Sequence, residues 1–525
     1  MISSRLALLL ALALLCGCGG SSSAADGGAG HDLGPAEDGP PPDGSVTPPP
    51  ATACPGRLDP VAPTGHVETV GDGTTASCTE AALHAAVAAV NDAGGGTVLF
   101  DCGGEVTIAL TQSVFVTKAM ILDGGGTVTL SGGGAVRVIE LQLGHGLIDF
   151  VLQRITIRDG FVPAGAANES GAGLLHPWFG TFTGIDLVFE NNHSASQDHD
   201  VGGGGMYLGG LTSAVLSNCT FSNNSGSTGG AVLSRSTNLQ VVDSVFYNNS
   251  ATTNGDGQYG NGGGLYIDRM YLDAPVDFVM CGTVFRQNHG KESGSAFFSY
   301  NLEGSGATFD RCTFAGNDMA DSLSGGAGTV YHEGVPLQLL RSTFADNTTG
   351  AHASGIFLGG GTNAHVESCT FAGNSTPGNA GALWAGNGQV DVLNTTFADN
   401  SADYGPVIFK GDSGTVKLTN VIFAGNHTAN QYSALACHAT FDDGGGNFQW
   451  PATKNNGNAD TPCAAGITFA DAQLEALADN GGPTPTMALP AGSPAIDVAA
   501  SCPDTDQRGK PRVGLCDSGA YEYQP

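Results

Sequence analysis

One motif recurs nine times between Phe189 and Asn426, and it limits what this chain can fold into. In each copy a β-branched residue precedes a Phe, and an Asn follows three positions after that Phe. The last three intervals between successive Phe residues are 27, 26 and 26, and the longest interval is 39. The pairs are Phe189/Asn192, Phe221/Asn224, Phe246/Asn249, Phe285/Asn288, Phe314/Asn317, Phe344/Asn347, Phe371/Asn374, Phe397/Asn400 and Phe423/Asn426.

A repeat of this length is typical of a solenoid, because one unit is too short to bury an apolar face alone and must stack on its neighbours. The units contain short alternating runs such as 239–242 and 390–393, separated by Gly, Asn, Asp and Ser, which indicates strands and turns. We therefore predict an all-β right-handed parallel β-helix of the pectin-lyase-like type, with about three short strands per coil and coils about 4.8 Å apart.

This geometry assigns the motif residues to the core and the turns. Each Phe points inward and stacks on the Phe of the next coil. Each Asn lies at the turn that follows, where its side chain tolerates left-handed backbone and can bond its own turn and the adjacent one. Pairs of small residues such as Gly229-Gly230 and Ala380-Gly381 mark a second tight corner. The nine Asn residues are predicted to form a turn ladder.

The pairing of Gly-Gly-Ala-hydrophobic with Phe-x-x-Asn resembles the repeats of bacterial polymorphic outer-membrane proteins, over about residues 171–430. Members of that family are surface β-helices, often adhesive, and the resemblance implies surface display. They usually carry a C-terminal membrane barrel, and the sequence shows no such region.

The N-terminal segment reads as an export signal followed by a tether. Residues 1–18 contain Arg5 and an apolar run of ten residues, too short to span a bilayer. The run ends in Leu-Cys-Gly-Cys, which resembles the lipobox of bacterial lipoproteins and implies cleavage before Cys18 and lipidation of Cys18; Cys16 is the alternative site. Residues 19–53 are rich in Gly, Ser and Pro and form a tether without an apolar period. We expect a lipid-anchored protein of the outer membrane or cell surface.

The β-helix is expected over residues 54–433, with a cap at its start. Residues 77–91 form the best helix of the sequence, rich in Ala and ended by Gly94-Gly95-Gly96. Helix, Gly-rich turn and strand together resemble the N-terminal cap of pectate-lyase-like β-helices. Such a cap covers the open end of the apolar stack.

Residues 434–525 lack the motif and are expected to form an irregular, disulfide-pinned C-terminal cap over the last coil. Blocks at 479–486, 492–497, 506–509 and 516–522 resemble the choice-of-anchor Q domain, a module that closes many bacterial surface β-helix proteins. A short helix is predicted at 469–477.

Cysteine use fits export. Eleven of the thirteen Cys follow the lipobox, an odd number. We expect disulfides Cys78–Cys102, Cys437–Cys463 and Cys502–Cys516. The residues Cys219, Cys312 and Cys369 each stand two before a motif Phe and are expected inside the core. The spacing does not suggest a zinc site.

Residues suited to catalysis are sparse. Polysaccharide hydrolases need paired carboxylates, and lyases need carboxylates for calcium with a basic residue nearby. Gly144-His145-Gly146 resembles a fragment of the polygalacturonase pattern without its partner segments, and Asp442-Asp443 lies in the tail. Asp198 and Asp200 are weak metal candidates for a structural calcium ion, and no other cofactor is expected. The basic residues form no motif and are assigned to the solvated outer face: Arg158, Arg269, Arg286, Arg311 and Arg341.

Net charge is −31 with a pI near 4.4, which argues against nucleic acid as a partner.

The favoured hypothesis is a monomeric, non-catalytic surface lipoprotein whose β-helix binds a polysaccharide, matrix or another cell surface. A polysaccharide lyase or glycosidase is one alternative. A structural envelope spacer without a ligand is the other.

Overall fold

The chain folds into a right-handed parallel β-helix of about twelve coils, as predicted. The structure, a computed structural model, describes residues 54–142, 146–177, 179–198, 201–252, 260–270, 275–302, 304–319, 327–499 and 501–525. The signal segment 1–18, Cys18 and the tether 19–53 therefore lie outside the described residues. Among those described, no helix is long and apolar enough to cross a membrane.

The secondary structure is almost entirely strand. One α-helix, α1, spans Glu80–Asp92, after a 3₁₀ turn at Thr75–Ser77. In the first half the strands are β1 His66–Val70, β2 Gly96–Phe100, β3 Val106–Ala109, β4 Val114–Val116, β5 Met120–Ser131, β6 Ile139–Leu141, β7 Ile148–Arg158, β8 Phe161–Val162, β9 Leu174–Pro177, β10 Gly180–Glu190, β11 His193–Ser194, β12 Met206–Gly209, β13 Ser213–Ser217, β14 Thr220–Ser222, β15 Ser225–Gly226, β16 Val232–Arg235, β17 Leu239–Val242, β18 Val245–Tyr247, β19 Ser250–Ala251, β20 Leu265–Arg269, β21 Phe278–Cys281 and β22 Val284–Arg286. In the second half they are β23 Phe297–Asn301, β24 Ala307–Asp310, β25 Thr313–Ala315, β26 Asp318–Met319, β27 Val330–Gly334, β28 Leu337–Leu340, β29 Thr343–Ala345, β30 Thr348–Thr349, β31 Ile356–Leu358, β32 Ala364–Glu367, β33 Thr370–Ala372, β34 Ser375–Thr376, β35 Leu383–Trp384, β36 Gln389–Leu393, β37 Thr396–Ala398, β38 Ser401–Ala402, β39 Ile408–Phe409, β40 Thr415–Thr419, β41 Ile422–Ala424, β42 Asp442–Asp443, β43 Phe448–Trp450, β44 Leu477–Ala478 and β45 Thr486–Met487.

Each coil passes through the same sheets in the same order. The coil that starts at β12 continues through β13, β14 and the short β15 before β16 begins the next coil. An eleven-stranded parallel sheet collects β12, β16, β20 and their equivalents. A 24-stranded sheet collects the next two strands of every coil, here called its first limb (β13 and equivalents) and its second limb (β14 and equivalents). Two four-stranded sheets collect the short strands.

The motif residues form two continuous internal columns. Successive motif Phe rings on the second limb are buried and stacked, with centroids 4.6–5.3 Å apart. Successive Asn side chains are bonded amide to amide at 2.8–3.1 Å. The turn ladder runs unbroken from Asn192 to Asn426, and all nine amides are buried.

The left-handed backbone lies beside the ladder rather than in it. The residue before each ladder Asn has the positive φ, for example Asn223 at 55° and Asp346 at 52°. A second left-handed position stands three residues before each motif Phe, for example Asn218 at 55° and Arg341 at 46°.

The prediction that the ladder Asn itself uses its tolerance of left-handed backbone was therefore wrong in every coil. Its amide must point inward along the column, and the residue before it makes the bend instead. The ladder positions without a positive φ are Asn192, Asn224, Asn249, Asn288, Asn317, Asn347, Asn374, Asn400 and Asn426.

The small-residue pairs serve two different needs. Gly229 has a φ of 58°, which suits a left-handed corner. A Cβ on Gly230 would lie 2.1 Å from the carbonyl oxygen of Gly263 in the next coil, so this position admits no side chain. By contrast, Gly124-Gly125-Gly126 lies within β5, where the pairing with β7 shifts register.

The N-terminal cap begins at Thr79, whose hydroxyl oxygen accepts a hydrogen bond from the Ala82 N–H at 3.2 Å. Leu83, Val87 and Val90 are buried and close the apolar end of the first coils.

Four disulfides are present among the described residues. Three are the pairs expected from the sequence, Cys78–Cys102, Cys437–Cys463 and Cys502–Cys516. The fourth, Cys54–Cys281, spans 227 residues and was not foreseen. The three remaining described cysteines are the buried thiols Cys219, Cys312 and Cys369.

The residues before β1 form a strap along the outside of the first limb. Beyond Cys54, Arg57 pairs with Asp243 at 3.1 Å, and the Leu58 N–H donates to the Ser217 hydroxyl at 2.9 Å. Further along the strap, the Val61 backbone both donates to and accepts from the Gln153 side-chain amide, and the Thr64 N–H donates to the Thr97 hydroxyl. The coils bonded at the two ends of this segment, at β21 and at β2, are six strand spacings apart. This distance is about 29 Å, which ten extended residues can span. We call residues 54–64 the strap.

The C-terminal region does more than cover the last coil. Parallel pairing continues past residue 433, since β42 pairs with β40 and β43 with β41. Residues 470–525, here called the tail, then turn back along the outside of the second limb. They pack on a column of small outward residues, one per coil: Ala315, Ala345, Ala372, Ala398 and Ala424.

Hydroxyl groups of the second limb hold the tail. Gln507 donates to the Thr343 hydroxyl at 2.7 Å and accepts from the Thr370 hydroxyl at 2.6 Å. The helix predicted at 469–477 is absent from the structure. Irregular backbone there, with Gln473 at a φ of 59°, brings Ala472 and Leu477 onto the Ala column, and Leu477 begins β44, which pairs with β45.

Candidate ligand-binding face

The residues proposed from sequence for metal or acid chemistry do not come together in the described part of the chain. Asp198 is exposed, while Asp200 and His145 lie outside the described residues. Asp442 is exposed, and Asp443 accepts hydrogen bonds from the backbone of Gly445 and Gly466, so it shapes a turn. Within the described ranges, no group of three or more His, Cys, Asp or Glu is placed to hold a metal ion.

Four of the five arginines assigned to the solvated face divide into two groups. Arg158 is part-exposed beside Asp159, and Arg286 is exposed. Arg311 and Arg341 both pair with the buried carboxylate of Asp310, at 2.8 and 2.6 Å.

Arg269 is buried, so its assignment to the outer face was wrong. Its guanidinium donates to Asn238 at 2.9 Å and to Asn301 at 3.2 Å. These contacts explain the burial, because they link the corners of neighbouring coils.

A cavity of about 430 Å³ lies at an early corner of the helix, lined by Gly133, Gly134, Asp159, Gly160, Phe161, Asn191 and His193. The His193 ring stacks on Phe161 with centroids 5.8 Å apart and bonds the Ser225 hydroxyl at 2.6 Å. Burial lowers the pKa of His193, which favours the neutral ring. One carboxylate and one neutral histidine do not make the carboxylate pair that glycoside hydrolysis uses.

The feature best suited to hold an extended ligand is a line of aromatic rings on the outside of the eleven-stranded sheet. Adjacent centroids are 4.5–5.3 Å apart, and each pair is stacked. We call these seven rings the aromatic column: Tyr266, Phe298, Tyr331, Phe357, Trp384, Phe409 and His438.

Strand alternation produces the aromatic column. In β20 Leu265 and Ile267 point into the core, so Tyr266 between them points out. Parallel in-register pairing then places Tyr266 beside Phe298, and the same alignment continues through β27, β31, β35 and β39. The rings are half-buried, because each covers the faces of its neighbours while its edge stays at the surface.

Polar residues lie beside the rings, two positions further along each strand. Asp268, Tyr300 and Glu333 are in register, and Arg235 extends this row at the side of Asp268. The Tyr331 hydroxyl donates to Glu333 at 2.5 Å, and burial together with this carboxylate raises the pKa of Tyr331. The next coil has Gly359, where a Cβ would lie 2.7 Å from the Tyr331 hydroxyl oxygen, so glycine leaves the room that this ring uses.

Sequence reasoning missed the aromatic column, although a signal was present. An inward apolar residue is followed at once by an aromatic one in six successive coils, at intervals of 32, 33, 26, 27 and 25 residues. These intervals differ from those of the Phe-x-x-Asn motif in the same coils because loops are inserted at different corners. The apolar-aromatic pairs must therefore be aligned with the Phe-x-x-Asn motif coil by coil before the aromatic column can be recognised in the sequence.

The comparisons with known proteins concern the fold. The family model described as right handed beta helix region matches residues 280–444. A search of curated proteins found no match. Among solved structures, the chain is similar to PfbA, a surface adhesin of Streptococcus pneumoniae, at 13% identity and a TM-score of 0.35, over 67% of this chain and 88% of that one.

Proposed function

We propose that the protein is a non-catalytic surface lipoprotein that displays its β-helix to bind an extracellular polymer. The observation that carries the proposal is the unequal covering of the solenoid. In the described part of the chain, the contacts of the strap and the tail fall on the 24-stranded sheet and its corners, whereas the eleven-stranded sheet presents an aromatic column about 29 Å long. A contiguous, partly exposed apolar line of this kind is typical of interaction sites.

Export and anchoring are part of this proposal. Four disulfides indicate an oxidising compartment. The lipobox-like Leu-Cys-Gly-Cys at 15–18 and the Gly/Ser/Pro-rich stretch at 19–53 support a lipid on Cys18 and a tether to the solenoid.

The anchor is tested by expressing the full chain in a bacterium and analysing its N-terminal peptide by mass spectrometry. We expect a diacylglyceryl group on Cys18, loss of membrane fractionation in Cys18→Ala, and protease access to the protein on intact cells. An unmodified N-terminus in the soluble periplasm would contradict anchored display.

Binding is tested by presenting the full chain, in mild detergent, to arrays of polysaccharides and matrix proteins. We expect saturable binding to at least one of these polymers and release of no new reducing or unsaturated ends. Polymer cleavage would contradict the non-catalytic role, and an array without any bound polymer would contradict the binding role.

A further inference from the structure

We infer that the aromatic column is a binding site for a linear, uncharged polysaccharide that lies parallel to the solenoid axis. This inference rests on the proposed function and names its ligand class. It commits to one occupant on three observations, which are the direction of the column, the chemistry of its surface and the charge around it.

Direction comes from the strand register. The seven rings follow one another across six strand spacings, so the apolar line runs along the axis and not around a coil. A compact ligand would cover two or three of these rings. Only an extended polymer contacts the whole line, and repeating units of the ligand would then meet repeating units of the protein.

Surface chemistry distinguishes a sugar from a hydrocarbon. Because the ring faces cover one another, the column presents ring edges, which carry the positive side of the aromatic quadrupole. Hydroxyl and ether oxygens of a sugar are suitable partners for these edges. The row beside them offers carboxylates and a phenol at Asp268, Tyr300 and Glu333, which can bond sugar hydroxyl groups.

Charge argues against an acidic polymer. The chain carries a net charge of −31, and Asp268 and Glu333 border the column directly. A polyanion would be repelled at this surface and would need a line of basic residues, whereas Arg235 at the edge of the row already faces Asp268 at 3.9 Å. The hypothesis from the sequence was a polysaccharide ligand of unspecified charge. The carboxylates beside the column favour an uncharged polysaccharide.

The test compares oligosaccharides by calorimetry with the full chain in detergent. The probes are neutral hexopyranose oligomers of two and six units, and oligogalacturonate of six units as the charged counterpart. We expect the neutral hexamer to bind at least tenfold more tightly than the dimer, with little change between low and high salt. The charged hexamer should bind much more weakly at low salt.

Single-ring variants locate the site. Trp384→Ala and Phe357→Ala should each weaken neutral hexamer binding about tenfold. Phe179→Ala is the matched control, because Phe179 is an exposed aromatic residue immediately before β10 and outside the column. Circular dichroism and thermal midpoints of the variants separate a lost contact from a disturbed fold, and Trp384→Leu keeps an apolar contact where the Ala variant is unstable.

Each other outcome overturns the inference. Stronger binding of oligogalacturonate, or failure of every neutral hexamer, would exclude an uncharged ligand. Concentration-dependent dimers that disappear in Trp384→Ala would make the column a contact between copies of this chain. If the full chain binds polymers on the array but the column variants bind them equally well, the inference fails while the proposed function stands.

Discussion

At the scale of single residues, the fold depends on asparagines that use both ends of their amide. The Asn317 side-chain NH₂ donates to the backbone carbonyl of Phe285 in the preceding coil at 3.0 Å and to the side-chain oxygen of Asn347 at 3.0 Å. Its own carbonyl oxygen accepts the backbone and side-chain N–H of Asn288, at 2.9 and 3.0 Å. Among the side chains, only an amide of this length supplies both a donor and an acceptor in line with the axis.

We predict that Asn317→Ala destabilises the protein by about 2–4 kcal/mol, because it leaves the Asn288 donors and the Phe285 carbonyl buried without this partner. Urea unfolding followed by circular dichroism measures the change. The matched control is Asn387→Ala at an exposed turn, expected to cost less than about 0.5 kcal/mol. Equal losses in both variants would show that the ladder adds no more stability than an ordinary surface amide.

A buried histidine gives the solenoid an acid-sensitive coil. His332 points into the core, where it bonds Ser299 at 3.1 Å and the Val335 carbonyl at 2.9 Å, and burial lowers its pKa from 6.5 to about 4. Below pH 6.5 the unfolded chain binds a proton that the folded chain does not. Stability contributed by the neutral ring is therefore complete above pH 6.5 and is lost as pH falls toward 4.

We predict that acidification from pH 7 to pH 5 costs about 2 kcal/mol through His332. The variant His332→Gln keeps a polar side chain without a proton to gain, so its unfolding free energy should vary less with pH over this range. The control His66→Gln makes the same substitution at an exposed histidine and should leave the unfolding free energy at pH 7 nearly unchanged. A His332→Gln curve parallel to wild type would remove this residue as a source of acid sensitivity.

Most of the internal residue pattern could be predicted, since Phe and Asn recur at a fixed offset and only one geometry stacks both. The prediction placed the left-handed backbone at each ladder Asn, whereas the residue before that Asn adopts it. The residues before the ladder Asn include Asn223, Asp346 and Gly373, types that adopt positive φ readily, so the signal was in the sequence. Burial of Arg269 could not be predicted, because its partners Asn238 and Asn301 come from other coils.

At the scale of elements, the strap and the tail depend on contacts between parts of the chain that are far apart in sequence. No local period reveals that Cys54 reaches Cys281, because the strap crosses coils instead of following one. The packing of the tail has a signal in the sequence, because Thr-Phe-Ala recurs on the second limb of four successive coils and its Ala leaves room outside. The copies are at 313–315, 343–345, 370–372 and 396–398. Earlier coils have larger or charged residues in the place of Ala, such as Glu190, Tyr247 and Arg286.

We predict that Cys54→Ser combined with Cys281→Ser releases the strap and leaves the coils folded. Closing a loop of this size stabilises a protein by about 2–5 kcal/mol. Hydrogen exchange should rise sharply across residues 55–64 and only slightly in β20–β41. The pair Cys502→Ser with Cys516→Ser is the control for loss of a disulfide elsewhere. Uniformly faster exchange across all coils in the strap variant would show that the strap maintains the solenoid as a whole.

At the scale of the whole molecule, the described residues give the solenoid distinct sides, because the strap and the tail lie on the two limbs and the aromatic column lies on the eleven-stranded sheet. The chain that precedes Cys54 joins the solenoid at its flank, beside β21 near the middle of its length, and not at the capped end. With the lipid that we propose on Cys18, the 35 residues 19–53 would link the anchor to the solenoid, and a Gly/Ser-rich chain of this length has a root-mean-square span of about 30–35 Å. This span is close to half the length of the solenoid, so neither end is favoured to stand next to the anchor.

We therefore predict that the protein, if anchored through Cys18 as proposed, lies on average side-on to its membrane. Fluorophores attached through Gln112→Cys near the first coils and Asn458→Cys near the last should transfer energy to a membrane dye with similar efficiency. Both sites are exposed, and selective labelling is feasible because burial raises the pKa of all three native free thiols, Cys219, Cys312 and Cys369. Releasing the strap by Cys54→Ser with Cys281→Ser moves the point of attachment to the capped end, so residue 112 should then approach the dye and residue 458 recede. A large difference between the two sites in the unaltered protein, or none after release, would rule out attachment at the flank as the cause of its orientation.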